Sequence, residues 1–186
     1  GGLKAVIITD VIQSVFMLVG AAIVAWLTFG QAEIGGWDGM RALDAKGKDL
    51  MHLYLPMNHP ARPWTGMLSG LLILHFYYWS ANQFIVQRAL AARSDREARL
   101  GIVTAGFFKL LIPFMSIGTG VAAFYYFQAT MPGVPVDGDT AFPLLMREVV
   151  APVGFGLAGL VAAGLIGAIL SSVDSMLNSA ATLITF

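Results

Sequence analysis

Residues 167–176 read GAILSSVDSM, three hydroxyls and a carboxylate inside an otherwise apolar run. Ala168, Ser171, Ser172 and Ser175 recur at i, i+3, i+4 and i+7, so a helix places them on one face. Serine hydroxyls and main-chain carbonyls are hard, neutral oxygen donors, suited to an alkali cation that must be held weakly enough to leave. Asp174 would add a charge to that set. A membrane serine also commonly bonds its own i−4 carbonyl and packs quietly, but four polar groups on adjoining positions favour the cation. A second stretch, LHFYYWSANQFIVQRAL (74–90), sets His75, Tyr78, Trp79 and Asn82 at the same helical spacing. Aromatic faces with hydrogen-bonding neighbours suit a sugar, whose C–H face stacks while its hydroxyls are bonded. Tyr and Trp also populate interfacial belts, and a lone His is equally at home as a satisfied core residue.

The elements that must position these groups are membrane helices. The 186 residues are 57% hydrophobic and 12% charged, half the charged fraction usual in soluble domains, about 25%, and mean hydropathy is +0.73. A net charge of zero gives no support to nucleic-acid binding, and the absence of cysteine excludes disulfides and thiolate metal sites. Four segments are apolar over the roughly 20 residues a bilayer requires: 3–29, 66–91, 100–128 and 152–186. They are joined by an outer loop (30–65), a short cytoplasmic loop (92–99) and a second outer loop (129–151) with room for a short interfacial helix. Arg93, Arg96 and Arg99 in the short loop, with Arg88 before it and Lys4 on the same side by parity, place that side in the cytoplasm. The first outer loop also holds Arg41, Lys46, Lys48 and Arg62, spread out and matched by Glu33, Asp38, Asp44 and Asp49. Three charges then remain at depth: Asp10, Lys109 and Asp174. Each costs about 2.5–3.5 kcal/mol on insertion scales, so such groups normally face a bundle interior or a water-filled path; Asp10 and Lys109 also lie near enough to a helix end to snorkel. Gly159 with Ala163, and Gly164 with Ala168, allow close helix approach in the fourth span. The chain lacks an initial Met and ends within an apolar run, and is read as an internal fragment.

These stretches resemble motifs of the sodium/solute symporter family, most closely its sodium–sugar branch, along nearly the whole chain. GGLKAVIITDVIQ looks like the family's GGL-x-AV-x-x-TD-x-x-Q helix, and YYWSANQFIVQRALAAR is similar to YW-x-x-x-Q-x-I-x-QR-x-LAA. GFFKLL resembles GY-x-KL, and AILSSVDSMLNSAATLITF resembles A-x-x-SS-x-x-S-x-x-NS-x-x-T-x-x-T. The resemblance implies an all-α, polytopic fold in which these four helices form part of a core of two inverted five-helix repeats. It implies that Ala168 (main-chain carbonyl), Ser171 and Ser172 line a sodium site whose other ligands lie upstream of residue 1. It implies that Tyr78 closes a sugar site toward the cytoplasm with Trp79 beside it, that His75 and Lys109 contact the sugar, and that Asp10 helps hold or release a second sodium. Two departures stand out. Histidine at 75 is where relatives often carry Asn or Ser, and Asp174 stands where several carry Ser, Thr or Ala; with Asp10, Ser171 and Ser175 it would form a second sodium site or an exit path. The expected function is secondary active transport in the plasma (inner) membrane, sodium influx driving uptake of a sugar or polyol by alternating access. The partners are sodium, the solute, the lipid bilayer and the remaining helices of the same chain. A sodium symporter for an amino acid, carboxylate or vitamin is the nearest rival, an ion channel the next. No nucleophile–base pair, phosphate loop or metal-ligand cluster suggests an enzyme.

Overall fold

The computed structural model describes residues 2–52, 55–60 and 63–185; Arg62, one of the loop charges above, lies outside them. The described residues are predominantly helical. Eight α-helices follow one another: α1 (Leu3–Phe29), α2 (Gly36–Lys46), α3 (Trp64–Gly66), α4 (Leu72–Phe76), α5 (Gln83–Leu90), α6 (Asp95–Thr130), α7 (Gly138–Leu145) and α8 (Leu157–Thr185). Three of them, α1, α6 and α8, are long and apolar enough to cross a membrane.

The second expected span, 66–91, is not one continuous helix. Between α3 and α5 the chain runs through π-helical turns at Met67–Leu71 and Tyr77–Ala81, and then leaves the helix at Asn82 (φ −75°, ψ 105°). The Asn82 N–H donates to the Tyr77 carbonyl at 3.0 Å, the i→i+5 bond of a widened turn. Ile85 and Val86 then donate to the Asn82 carbonyl, so a new helix starts there. Neither Gly nor Pro marks the place; Asn, a preferred residue at helix starts, is the only local signal. The Arg-rich connection ends at Ser94, whose hydroxyl accepts from the Glu97 N–H at 3.3 Å and caps α6.

The residues fall into two compact units. One comprises Ile8–Met51 and Phe107–Ser171, the other Gly1–Ile7, His52–Gly106 and Ser172–Phe186. The first contains the buried apolar cluster, including Val24, Ile34, Met40, Val121, Phe127 and Val150. Its connection 30–51 was expected as plain loop, yet it carries α2, docked through Trp37, whose ring lies 5.6 Å from Phe29 and 6.2 Å from Phe114. The expected short helix of the second outer loop is α7.

The end of α2 is tied to α6 by Asp44, a carboxylate only 2% exposed. Its oxygens accept from the Leu50 and Met51 N–H groups, each at 2.8 Å, and from the Tyr125 hydroxyl at 2.9 Å. Burial pushes the Asp44 carboxyl up, but the bonds from Met51, Leu50 and Tyr125 outweigh it and hold the pKa below its ordinary 3.8. A lowered folded-state pKa contributes stability that is complete above the ordinary value and is lost as pH falls through the folded one. Protection of the Leu50 and Met51 amides from hydrogen exchange is therefore expected to persist at neutral pH and fade under acid below pH 3.8. Asp44→Ala should cost about tenfold of that protection at pH 7, the worth of roughly one good hydrogen bond. Unchanged exchange in the variant would show that the carboxylate does not hold this turn.

Candidate functional site

In the unit built from Ile8–Met51 and Phe107–Ser171, the start of α8 packs antiparallel on α1. A methyl added at Gly164 would stand 2.9 Å from the Phe16 carbonyl oxygen and 3.3 Å from the Met17 Cα. One added at Gly20 would meet the Val161 Cα at 3.4 Å, and one at Gly167 would meet the Gln13 Cγ at 3.3 Å. The backbones therefore touch at glycine, as the close approach expected of small residues requires; Gly159, in contrast, meets nothing. With equal rise per residue on both helices, the pairing of 20 with 161, 16–17 with 164 and 13 with 167 carries on to set Asp10 level with Ser171.

Asp10 and Gln13 lie on the half-buried face of α1 that continues through Met17 to the buried Gly20 and Val24. Ala168 and Ser171 lie on the matching face of α8, both half-buried. The Oε1 atom of Gln13 is buried and has no hydrogen-bond partner among the described residues. Ser14, by contrast, spends its hydroxyl on the Asp10 main-chain oxygen at 2.7 Å. Asp10, Ala168 and Ser171 thus lie along one helix pair.

Ser172, Asp174 and Ser175 belong to the other unit. Ser172 is exposed and Asp174 half-buried, while Ser175 is fully buried. An Arg88 guanidinium nitrogen donates to the Ser175 hydroxyl. Gln87 Nε2 donates to the Ser175 carbonyl at 3.2 Å, and Asn178 Nδ2 donates to Gln87 Oε1 at 3.1 Å. The end of α5 is thereby latched to α8 by a polar network that sequence reasoning passed over, although Gln87, Arg88 and Asn178 all stood in the quoted motifs. A sodium ion on Ser175 would share its oxygen with the Arg88 guanidinium.

The same unit holds His75, Tyr78 and Trp79. His75 is exposed, with Nδ1 2.6 Å from the Leu71 carbonyl. Tyr78 is half-buried, and its ring meets Trp79 edge-on at 5.4 Å. The π turn widens the helix and the chain departs at Asn82, so the α-helical stripe that aligned Asn82 with His75 does not hold. Asn82 starts α5 without using its side chain as a cap. Tyr78, Trp79 and Asn82 therefore stand together at an interrupted helix, the kind of backbone that tolerates membrane depth only where it lines a cavity or protein interior. Lys109 is exposed on α6 and belongs to the other unit. Pro113, four residues on, has no N–H to give the Lys109 carbonyl. A cavity of about 1240 Å³ lies among α1, α6, α7 and α8; its lining includes Met17, Val24, Phe124, Phe127 and Leu145 but none of the candidate residues.

Three helices long and apolar enough to span a bilayer, with a further helix broken at Asn82, define a polytopic helical membrane protein. The chain belongs to the sodium:solute symporter family, whose model matches residues 1–186. It is 38% identical over 205 residues to a sodium/glucose cotransporter of Vibrio parahaemolyticus, covering all of this chain and 37% of that protein. It is 31% identical over 212 residues to sodium/myo-inositol cotransporter 2 of Mus musculus, covering all of this chain and 31% of that one. A sodium/mannose cotransporter of Bos taurus is 32% identical over 212 residues, with 35% of its length covered. The chain thus spans about a third of the length of the curated relatives it matches. No solved structure matches it.

Proposed function

We propose that the full-length protein couples sodium influx to uptake of a sugar or polyol across the plasma (inner) membrane by alternating access. The observation that carries this reading is the helix interrupted at Asn82 with the Tyr78–Trp79 ring pair beside it. Transporters build solute sites near the midplane at such breaks, where main-chain groups are released from helical bonding. The aromatic pair offers a face to the sugar ring, and the Tyr78 hydroxyl and Asn82 amide offer hydrogen bonds to its hydroxyls. His75 and Lys109 are proposed as further solute contacts, in keeping with relatives named for glucose, myo-inositol and mannose.

Sodium is assigned to the face of α8 carrying the Ala168 carbonyl and the Ser171 and Ser172 hydroxyls, with Asp10 opposite Ser171 supplying charge. Asp174 and Ser175 are proposed as an exit path rather than a second cage, because Arg88 already occupies the Ser175 hydroxyl. For coupling, sodium must bind the outward-open and inward-open states with different affinity; a helix pair in backbone contact, such as α1 and α8, changes its ligand spacing when it moves.

Two results test the reading. Labelled-sugar uptake by the full-length protein should be competed by hexoses and polyols and not by carboxylates or amino acids; the reverse order would move the substrate to the rival class. Ser171→Ala should raise the sodium concentration for half-maximal uptake about tenfold, the loss of one charge-assisted contact, with little change in the solute concentration dependence measured at saturating sodium. An unchanged sodium dependence would remove Ser171 from the ion site.

A further inference from the structure

Gln13 closes the first of the quoted motifs, GGLKAVIITDVIQ, yet its side chain has been given no role so far, and its surroundings are unusual. Its Oε1 atom is buried at a helix–helix contact and accepts no hydrogen bond among the described residues. A buried amide oxygen left unpaired is costly, and such groups in native proteins have a reason. The α8 residue facing it is Gly167, whose missing side chain leaves the space that Gln13 fills: a Cβ there would lie 3.3 Å from Gln13 Cγ and 3.4 Å from its Cβ. One turn toward the N-terminus on the same face of α1 stands Asp10, which the α1–α8 register sets level with Ser171.

We infer that Gln13 is a sodium ligand, its amide oxygen completing a cage with the Asp10 carboxylate and the Ser171 hydroxyl between α1 and α8. The donor set explains the choice of ion. One carboxylate and two neutral oxygens balance a single positive charge, whereas a divalent cation would keep an uncompensated charge in a low-dielectric interior. All three donors are hard oxygens, which excludes a soft metal. Gly167 acts as the seat: any larger residue there would displace the Gln13 side chain from the cage. The assignment rests on the sodium-coupled reading proposed above and adds a ligand to it.

The test uses the full-length protein in detergent, with thermal unfolding followed in sodium chloride against choline chloride, alongside sodium-dependent uptake. A ligand that binds only the folded state raises Tm with its concentration. Wild type is expected to show a sodium-specific rise. Gln13→Met keeps the volume and removes the unpaired oxygen, so its Tm in choline should equal or exceed that of wild type while its apparent sodium affinity falls about tenfold. Gln13→Glu keeps the oxygen and adds charge, so its sodium affinity should match or exceed that of wild type, and it serves where Gln13→Met does not fold. If Gln13 only pairs with another helix of the full chain, Gln13→Met lowers Tm equally in both salts and leaves the sodium dependence at the wild-type value; that outcome overturns the inference. Wild-type protein that responds alike to sodium and choline in both assays would instead overturn the sodium-coupled reading itself.

Discussion

Gly164→Leu is expected to yield no stably folded transporter. The Gly164 Cα faces backbone, not a yielding side chain: even one added carbon would lie 2.9 Å from the Phe16 carbonyl oxygen and 3.2 Å from its carbon. Two helix axes must separate to admit it, and overpacking of this kind costs about 1–3 kcal/mol for small insertions. Gly164→Ala should therefore lower the thermal midpoint measurably and Gly164→Leu should abolish the monodisperse folded fraction. The loss would reach function through geometry, since separating α1 from α8 also separates Asp10 and Gln13 from Ser171. Folded Gly164→Leu protein with normal sodium dependence would show that these helices are not in backbone contact in the working transporter.

Much of this packing was legible before any coordinates. The repeat of small residues through 164 and 168 marked the face of α8 that meets a neighbour, and the apolar lengths marked α1, α6 and α8 as spans. The second span was misread because a hydropathy pattern carries no information about π turns. YYWSANQ introduces neither Gly nor Pro, and its Ser, Asn and Gln read as a polar stripe on a helix, so the break at Asn82 appears only once main-chain hydrogen bonds are followed. The helix within 36–46 was missed for the opposite reason: its glycines and mixed charges read as loop, whereas Trp37 docking between Phe29 and Phe114 holds it as a helix. Tertiary packing here overrides local propensity. Among the candidate residues, the serine face and Asp10 stand out as polar exceptions in apolar helices. Gln13, Gln87 and Asn178 were not, because an uncharged amide stands out less than a carboxylate until its partners, or the lack of them, are seen.

Arg88→Ala is the second change with a large expected effect. It removes a charged donor from the fully buried Ser175 hydroxyl and leaves Gln87 and Asn178 to hold α5 on α8 alone. Hydrogen bonds to charged groups contribute about 1.5–3 kcal/mol, and a buried acceptor left unpaired adds to the loss. Arg88→Lys should recover only part of it, because a single ammonium lacks the planar, multi-donor fork of the guanidinium. The pair is best measured as a double-mutant cycle with Ser175→Ala on thermal or denaturant stability, where the coupling between the two sites should exceed about 1 kcal/mol. Strict additivity would mean that the Arg88–Ser175 contact contributes nothing, and that α5 is held by other bonds. Because the Arg-rich connection follows directly, loosening this latch is also expected to raise sodium leak in the absence of solute, which sodium flux into vesicles would report.

The central claim, that sodium moving between α1 and α8 drives a sugar or polyol past the Asn82 break, is tested most directly by uphill transport. Full-length protein reconstituted in vesicles, given an inward sodium gradient and equal labelled sugar on both sides, should accumulate the sugar above its starting concentration. That accumulation should collapse when a sodium ionophore dissipates the gradient and fail to appear when potassium or choline replaces sodium. Sugar that only equilibrates, at the same rate with or without the sodium gradient, would contradict the account.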